Sequence, residues 1–150
     1  METNAAMTIS NQIRETAYAI HQYHGTGYLE KVYEIALAHR LRNAGLDVEQ
    51  QHPLTVRDED GATIGDYCAD LLVEGSLGGE LKACKTSKDD HSAQLLNYLK
   101  GTGLELGMLI NFGSYKFFIK KFAKRAETTT APKLNSLLPP LFAFFAFFRG

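Results

Sequence analysis

The stretch Cys68-Ala69-Asp70-Leu71-Leu72-Val73-Glu74-Gly75-Ser76-Leu77-Gly78-Gly79-Glu80-Leu81-Lys82-Ala83-Cys84 decides how this chain folds. Glu74-Gly75-Ser76 is a turn signal between two extended runs, one from Ile64 to Glu74 and one through Leu81 to about Cys84, so the two are expected to form a hairpin. With the turn centred on Gly75, residues facing each other have numbers summing to about 150, which sets Asp70 across from Glu80. Side chains alternate along a strand. Cys68, Asp70 and Leu72 therefore share one face of the first strand, and Glu80, Lys82 and Cys84 share one face of the second. Two acids and a lysine are expected to converge on one cleft.

Such a group has chemical meaning. Carboxylates about 5 Å apart raise each other's pKa unless a cation sits between them. A divalent metal removes the conflict, and carboxylate oxygens without thiolate or imidazole partners suit Mg²⁺ or Mn²⁺ better than zinc. Metal and ammonium together match what phosphodiester hydrolysis requires: a polarised phosphoryl oxygen, an acidified water and a positive charge against the developing negative one. A solvated hairpin with a lysine between acids presents the same residues, so the spacing alone leaves both readings open.

On the N-terminal side, Ile9, Ile13, Ala17 and Ile20 predict a helix over Thr8 to Tyr23. His24-Gly25-Thr26-Gly27 stops it. Leu29, Val32, Tyr33, Ala36, Leu37 and Leu41 then predict a second helix over Leu29 to Ala44, ended by Gly45. Glu30 falls inside that apolar stripe. It is either a buried acid awaiting a partner or a carboxylate favoured by the helix N-terminus. Leu54 to Arg57 reads as a further strand that turns at Asp58-Glu59-Asp60-Gly61 into the decisive hairpin, giving a three-stranded antiparallel meander.

On the C-terminal side, Asp89 or Asp90 can cap a third helix that carries Leu95, Leu96 and Leu99 and ends at Gly101 or Gly103. Its residues His91, Gln94 and Tyr98 share one face, a candidate polar rim for the cleft. Leu106 to Phe112 is nearly continuous apolar sequence, as expected of a strand covered on both faces and reached by a helical crossover. Lys116 to Phe122 is expected to pair at the sheet edge. The class is α/β with a mixed sheet. Lys116, Lys120, Lys121, Lys124 and Arg125, with Lys85, Lys88 and Lys100, form either a phosphate-facing rim or a solvated edge guarded by lysines.

Composition bounds the function. The 150 residues, 45% hydrophobic and 22% charged, suit one globular core. A formal charge of −1 gives no overall basic field for a polyanion, so any such site is local. Two cysteines exclude a disulfide framework or a zinc knuckle of Cys pairs and suit a reducing compartment. The start, Met1 to Ser10, lacks a secretory pattern, so the cytoplasm is expected. Residues 1–127 are expected to form the domain. Residues 128–150 read as a linker and a Phe-rich apolar tail, too short to span a membrane, that docks on the body, stays disordered or anchors to a partner or membrane surface.

The series Gly27-Tyr28-Leu29-Glu30-Lys31-Val32-Tyr33, Ala69-Asp70-Leu71-Leu72-Val73, Glu80-Leu81-Lys82-Ala83, Gln94-Leu95-Leu96-Asn97-Tyr98-Leu99 and Ile110-Asn111-Phe112-Gly113 resembles the GxxExxY proteins, a branch of the PD-(D/E)XK nuclease superfamily, over Ile9 to about Arg125. The resemblance implies a restriction-endonuclease-like core of helices, meander, crossover helix and further strands. It implies Asp70 and Glu80 as metal ligands, joined by the Leu81 carbonyl and by Glu30 as the helix acid. It further implies Lys82 as the catalytic lysine, Gln94 and Tyr98 as the Gln-x3-Tyr pair of RecB-type nucleases, and Mg²⁺ or Mn²⁺ as cofactor. The expected partner is nucleic acid, DNA ahead of RNA, with a homodimer left open. Ser76-Leu77-Gly78-Gly79 departs from the β-branched run of similar proteins, and adjacent glycines are expected to weaken the strand. The function expected is a metal-dependent nuclease. The alternatives are a nuclease-like fold that binds nucleic acid or a protein partner without turnover, and a small-molecule phosphohydrolase.

Overall fold

The computed structural model describes residues 4–86, 89–124 and 145–149. Helix α1 (Asn4–His24) buries Ser10, Ile13, Ala17, Ile20 and His21, the face that the apolar spacing picks out. Helix α2 (Glu30–Asn43) follows Leu29 and buries Tyr33, Glu34, Leu37, Ala38 and Leu41. Its buried stripe is rotated from the expected one: Leu29 and Val32 are 79% and 43% exposed, and Glu30 faces solvent. The shift has a packing cause, because the Tyr33, Leu37 and Leu41 edge is the one that enters the core beneath α1.

Strands β1 (Val48–Arg57), β2 (Thr63–Val73) and β3 (Leu77–Lys82) form the antiparallel meander. The pairs Leu71–Gly79, Leu72–Gly78 and Val73–Leu77 have numbers summing to 150, as a turn at Gly75 (φ 65°) requires. Helix α3 (Asp89–Thr102) crosses to β4 (Leu106–Asn111), which runs parallel to β3 and is buried at every residue. Strand β5 (Phe118–Lys124) pairs with β4, and β6 (Phe145–Arg149) pairs with β5, completing a mixed sheet in the order β1-β2-β3-β4-β5-β6. β5 is thus interior to the sheet, a correction to the edge position expected for Lys116 to Phe122: part of the tail supplies the covering strand. The expected linker at Thr128 to Pro132 lies outside the described residues, as does the start of the Phe-rich run.

The sheet separates two apolar layers. Leu77, Leu81, Met108 and Ile110 pack against α1 and α2, while Leu72, Leu99, Leu109 and Phe122 form the layer under α3. Gly78 and Gly79 do not interrupt β3, since both pair with β2 on one side and with β4 on the other. A Cβ on Gly78 would lie 2.9 Å from Leu104 Cδ1. The missing side chain is the space Leu104 occupies. No described helix is long and apolar enough to cross a membrane.

Candidate active site

Glu80 and Lys82 leave the same face of β3, toward α3, as alternation requires. They line a cavity of about 180 Å³ with Tyr67, Cys68, Gln94, Leu95, Tyr98 and Leu109. The Tyr67 hydroxyl donates a hydrogen bond to Glu80 Oε1, and the Tyr67 ring stacks on Tyr98 with centroids 4.1 Å apart and planes 12° apart. Burial pushes the Glu80 carboxyl up to about 7; the Tyr67 bond and the Lys82 charge pull against that, and the Asp70 charge reinforces it. The Tyr67 hydroxyl is raised as well, by its own burial and then by the Glu80 charge, so it stays a donor.

Asp70 sits one residue beyond the last β2–β3 pair. There its side chain takes up a strand amide: Asp70 Oδ2 accepts the Leu81 N–H at 2.8 Å. Oδ1 accepts from the Gln51 amide at 3.1 Å. Asp70 lines a second cavity, of about 500 Å³, with Glu30, Glu34, Gln51 and Leu81 and with the residues Tyr28 to Lys31 at the start of α2. The expected single cleft is therefore two neighbouring concavities. Asp70, Leu81 and Glu30 belong to one; Glu80, Lys82, Gln94 and Tyr98 belong to the other. Two donors draw the Asp70 carboxylate toward α2 and a third holds the Glu80 carboxyl under α3, although the two groups remain near enough for the charge of Asp70 to act on Glu80. Among the described residues no three His, Cys, Asp or Glu side chains converge as a closed metal cage.

The buried acid of α2 is Glu34, 3% exposed. It accepts from Lys31 Nζ at 2.6 Å and Gln50 Nε2 at 2.8 Å, and also from Gln51 Nε2. Burial raises its pKa, but these donors outweigh burial and leave the carboxyl below its ordinary value. Glu34 lies on the Leu37 and Leu41 stripe one turn further in than the exposed Glu30, so helical spacing marks it as a second candidate but does not choose between the two. Gln51 left no signal of its own; it has a φ of 51°, and its side-chain amide lies between Glu34 of α2 and Asp70.

Two more residues shape the site. Asn111, 2% exposed, accepts the N–H groups of Cys84 and Gly113, each at 3.0 Å, and donates to the Cys84 carbonyl at 2.9 Å. It ties the exit of β3, just past Lys82, to β4. Tyr33 stacks on Phe112 at 4.6 Å and 6°. Its hydroxyl donates to the Gly25 carbonyl at 2.7 Å and accepts the Tyr28 N–H at 3.3 Å, closing the α1–α2 turn over the Asp70 cavity. In the Gly27 to Tyr33 motif the tyrosine is thus a fastener for the turn. Tyr33→Phe keeps the stack and loses both bonds, and urea denaturation is expected to show a loss of about 1 kcal/mol.

Lys120 does not join a solvent rim. It is 8% exposed and donates to Ser92 Oγ at 3.4 Å, with the Phe118 ring 5.2 Å away. The side chains of His91 and Lys124, and all of Lys88 and Arg125, lie outside the described residues. Compared with known proteins, residues 7–125 match the PD-(D/E)XK nuclease superfamily. No curated protein and no solved structure gives a significant match.

Proposed function

Because the chain belongs to the PD-(D/E)XK nuclease superfamily, we propose that it is a metal-dependent nuclease of the GxxExxY branch, hydrolysing phosphodiester bonds of nucleic acid, DNA ahead of RNA. The observation that carries this reading is the 2.8 Å bond that brings the Asp70 carboxylate to the Leu81 N–H, between Glu80 and Lys82, with those two side chains lining one cavity. The donors fit a hard cation. Mg²⁺ is commonly held by one or two carboxylates and completes its shell with water and substrate phosphate, so two acids without a closed cage suffice. Asp70 and Glu80 would hold it, with the Leu81 carbonyl alongside and Glu30 at the mouth of the Asp70 cavity. When bound, Mg²⁺ or Mn²⁺ supplies Lewis-acid polarisation and a more acidic water.

The remaining chemistry falls to the chain. Lys82 sets an ammonium beside Glu80, where negative charge develops on the phosphoryl group. Tyr98, through its stack on Tyr67, fixes the direction from which Glu80 is held, and Gln94 offers amide hydrogens at the rim of that cavity. Incubation with single- and double-stranded DNA and RNA in Mg²⁺ or Mn²⁺ tests the proposal. Cleavage should fall about 100-fold or more in Lys82→Ala and Asp70→Asn; cleavage unchanged in both would assign it to a contaminant. The seating of Asp70 and Glu80 in separate concavities favours a second reading, a nuclease fold that binds without cutting. Mn²⁺ titration calorimetry separates the two, since binding lost in Asp70→Asn supports the enzyme and no binding to the parent supports the second reading.

A further inference from the structure

A cavity of about 900 Å³ lies away from Asp70 and Glu80, between α1 and the β4–β5 connection. Its volume is in the range that accepts a nucleotide-sized ligand. Phe117 forms the floor, with the Tyr18 ring edge-on at 5.6 Å and Phe112 supporting it at 6.3 Å. The connection is held in place by the His21 ring, whose Nε2 donates to the Ser114 carbonyl at 2.9 Å. Ser114 Oγ in turn donates to the Lys116 carbonyl at 2.6 Å. On this fixed loop Tyr115 stands 96% exposed, and Tyr18 is 51% exposed. Arg14 and Lys116 complete the wall, two cations against the single carboxylate of Glu15.

Rings offered to solvent beside paired cations suit an unstacked base with its phosphate, because every base has a face to stack and every phosphate a charge to neutralise. A duplex keeps its bases stacked inside and cannot use such rings. The chain also supplies a path onward. Gly25 and Thr26 line this cavity, and the next residues of the same turn, Tyr28, Leu29 and Glu30, line the Asp70 cavity. Tyr28 and Leu29 are 49% and 79% exposed there. We propose that the cavity between α1 and the β4–β5 connection seats one nucleotide of a single-stranded nucleic acid, its base against Tyr115 and Tyr18 and its phosphate on Arg14 and Lys116. The strand then crosses the α1–α2 turn toward Asp70. This assignment of substrate rests on the nuclease reading for its direction of travel, and on the cavity alone for its ligand.

The test is anisotropy of a fluorescent oligo(dT) with the full chain in EDTA, so that no turnover is needed. Tyr115→Ala, at a position without packing to lose, and Lys116→Ala are each expected to weaken binding about tenfold, and a duplex of equal length to bind at least about tenfold more weakly than the single strand. Unchanged affinity in Tyr115→Ala, a duplex bound as well as the single strand, or binding of thymidine monophosphate without the oligonucleotide would each overturn the proposal. Single-strand binding that follows this pattern while no polynucleotide is cleaved in Mg²⁺ or Mn²⁺ sinks the nuclease reading and leaves the cavity assignment. Cleavage lost in Lys82→Ala with binding unmoved by Tyr115→Ala does the reverse.

Discussion

Glu80→Gln is expected to stabilise the chain by about 2 kcal/mol at pH 8 and, on the proposed nuclease function, to abolish cleavage. The carboxyl is pushed from its ordinary 4.5 up to about 7. Between those values the folded state keeps a proton that the unfolded chain releases, so stability falls as pH rises through the window and stays reduced above it. A shift of that size corresponds to about 3 kcal/mol, and residual solvent contact brings the expected gain to about 2 kcal/mol. The amide of Gln carries no charge to desolvate and keeps an oxygen for the Tyr67 hydroxyl. Urea midpoints at pH 5 and pH 8 read the effect: near-equality at pH 5 and a clear gain at pH 8 are predicted. Equal gains at both values, or a loss at pH 8, would contradict the burial argument. Glu34 acts in the other direction. Its carboxyl lies below its ordinary value, so its contribution is present above about pH 4.5 and is lost as pH falls through the lowered value. On these two groups, stability peaks in mildly acidic solution.

Gly113→Ala should cost about 3 kcal/mol and, on the proposed nuclease function, depress turnover as well. A Cβ at this position would stand 2.3 Å from the Ala83 carbonyl carbon and 2.4 Å from the Cys84 amide nitrogen. Both are backbone, so no side-chain rotation relieves the clash and the overpacking cost stands near the top of its usual range. The segment that must give way is the one Asn111 clamps through Cys84, directly after Lys82. Thermal unfolding reads the stability loss. If turnover falls while the chain remains folded at the assay temperature, the strap positions Lys82; unchanged turnover would reduce it to a purely structural clip.

The meander, the crossover strand and the hairpin register were legible because they rest on local signals: a turn glycine, an apolar run long enough for a buried parallel strand, and helical spacing in α1. The candidate site residues could be named one by one from the sequence, but their division between two cavities could not. Alternation places Asp70 on the face of Cys68 and Leu72, yet alternation describes a paired strand. The pairing with β3 ends at Leu71, although β2 stays paired with β1 on both sides of Asp70, and the carboxylate follows its donors, Leu81 N–H and the Gln51 amide. Those donors depend on a positive φ at Gln51 that no residue type there announces. Glu34 was hidden behind Glu30 because both carry the same helical direction, and only depth in the core distinguishes them. Tyr67 reaches Glu80 through a strand whose spacing to β3 is known only once the register is built. β6 escaped because its partner, β5, lies across a segment with no periodic pattern of its own.

With β6 paired to β5 the sheet's two borders are β1 and β6, and the first of them, β1, carries Pro53, the positive φ at Gln51 and an irregularity between Val56 and Arg57. That border is a poor template for a neighbouring molecule to zip onto. Clipping the chain after residue 124 would instead bare the amides of β5, and the shortened product should turn cloudy on concentration at a strength where the intact chain stays clear.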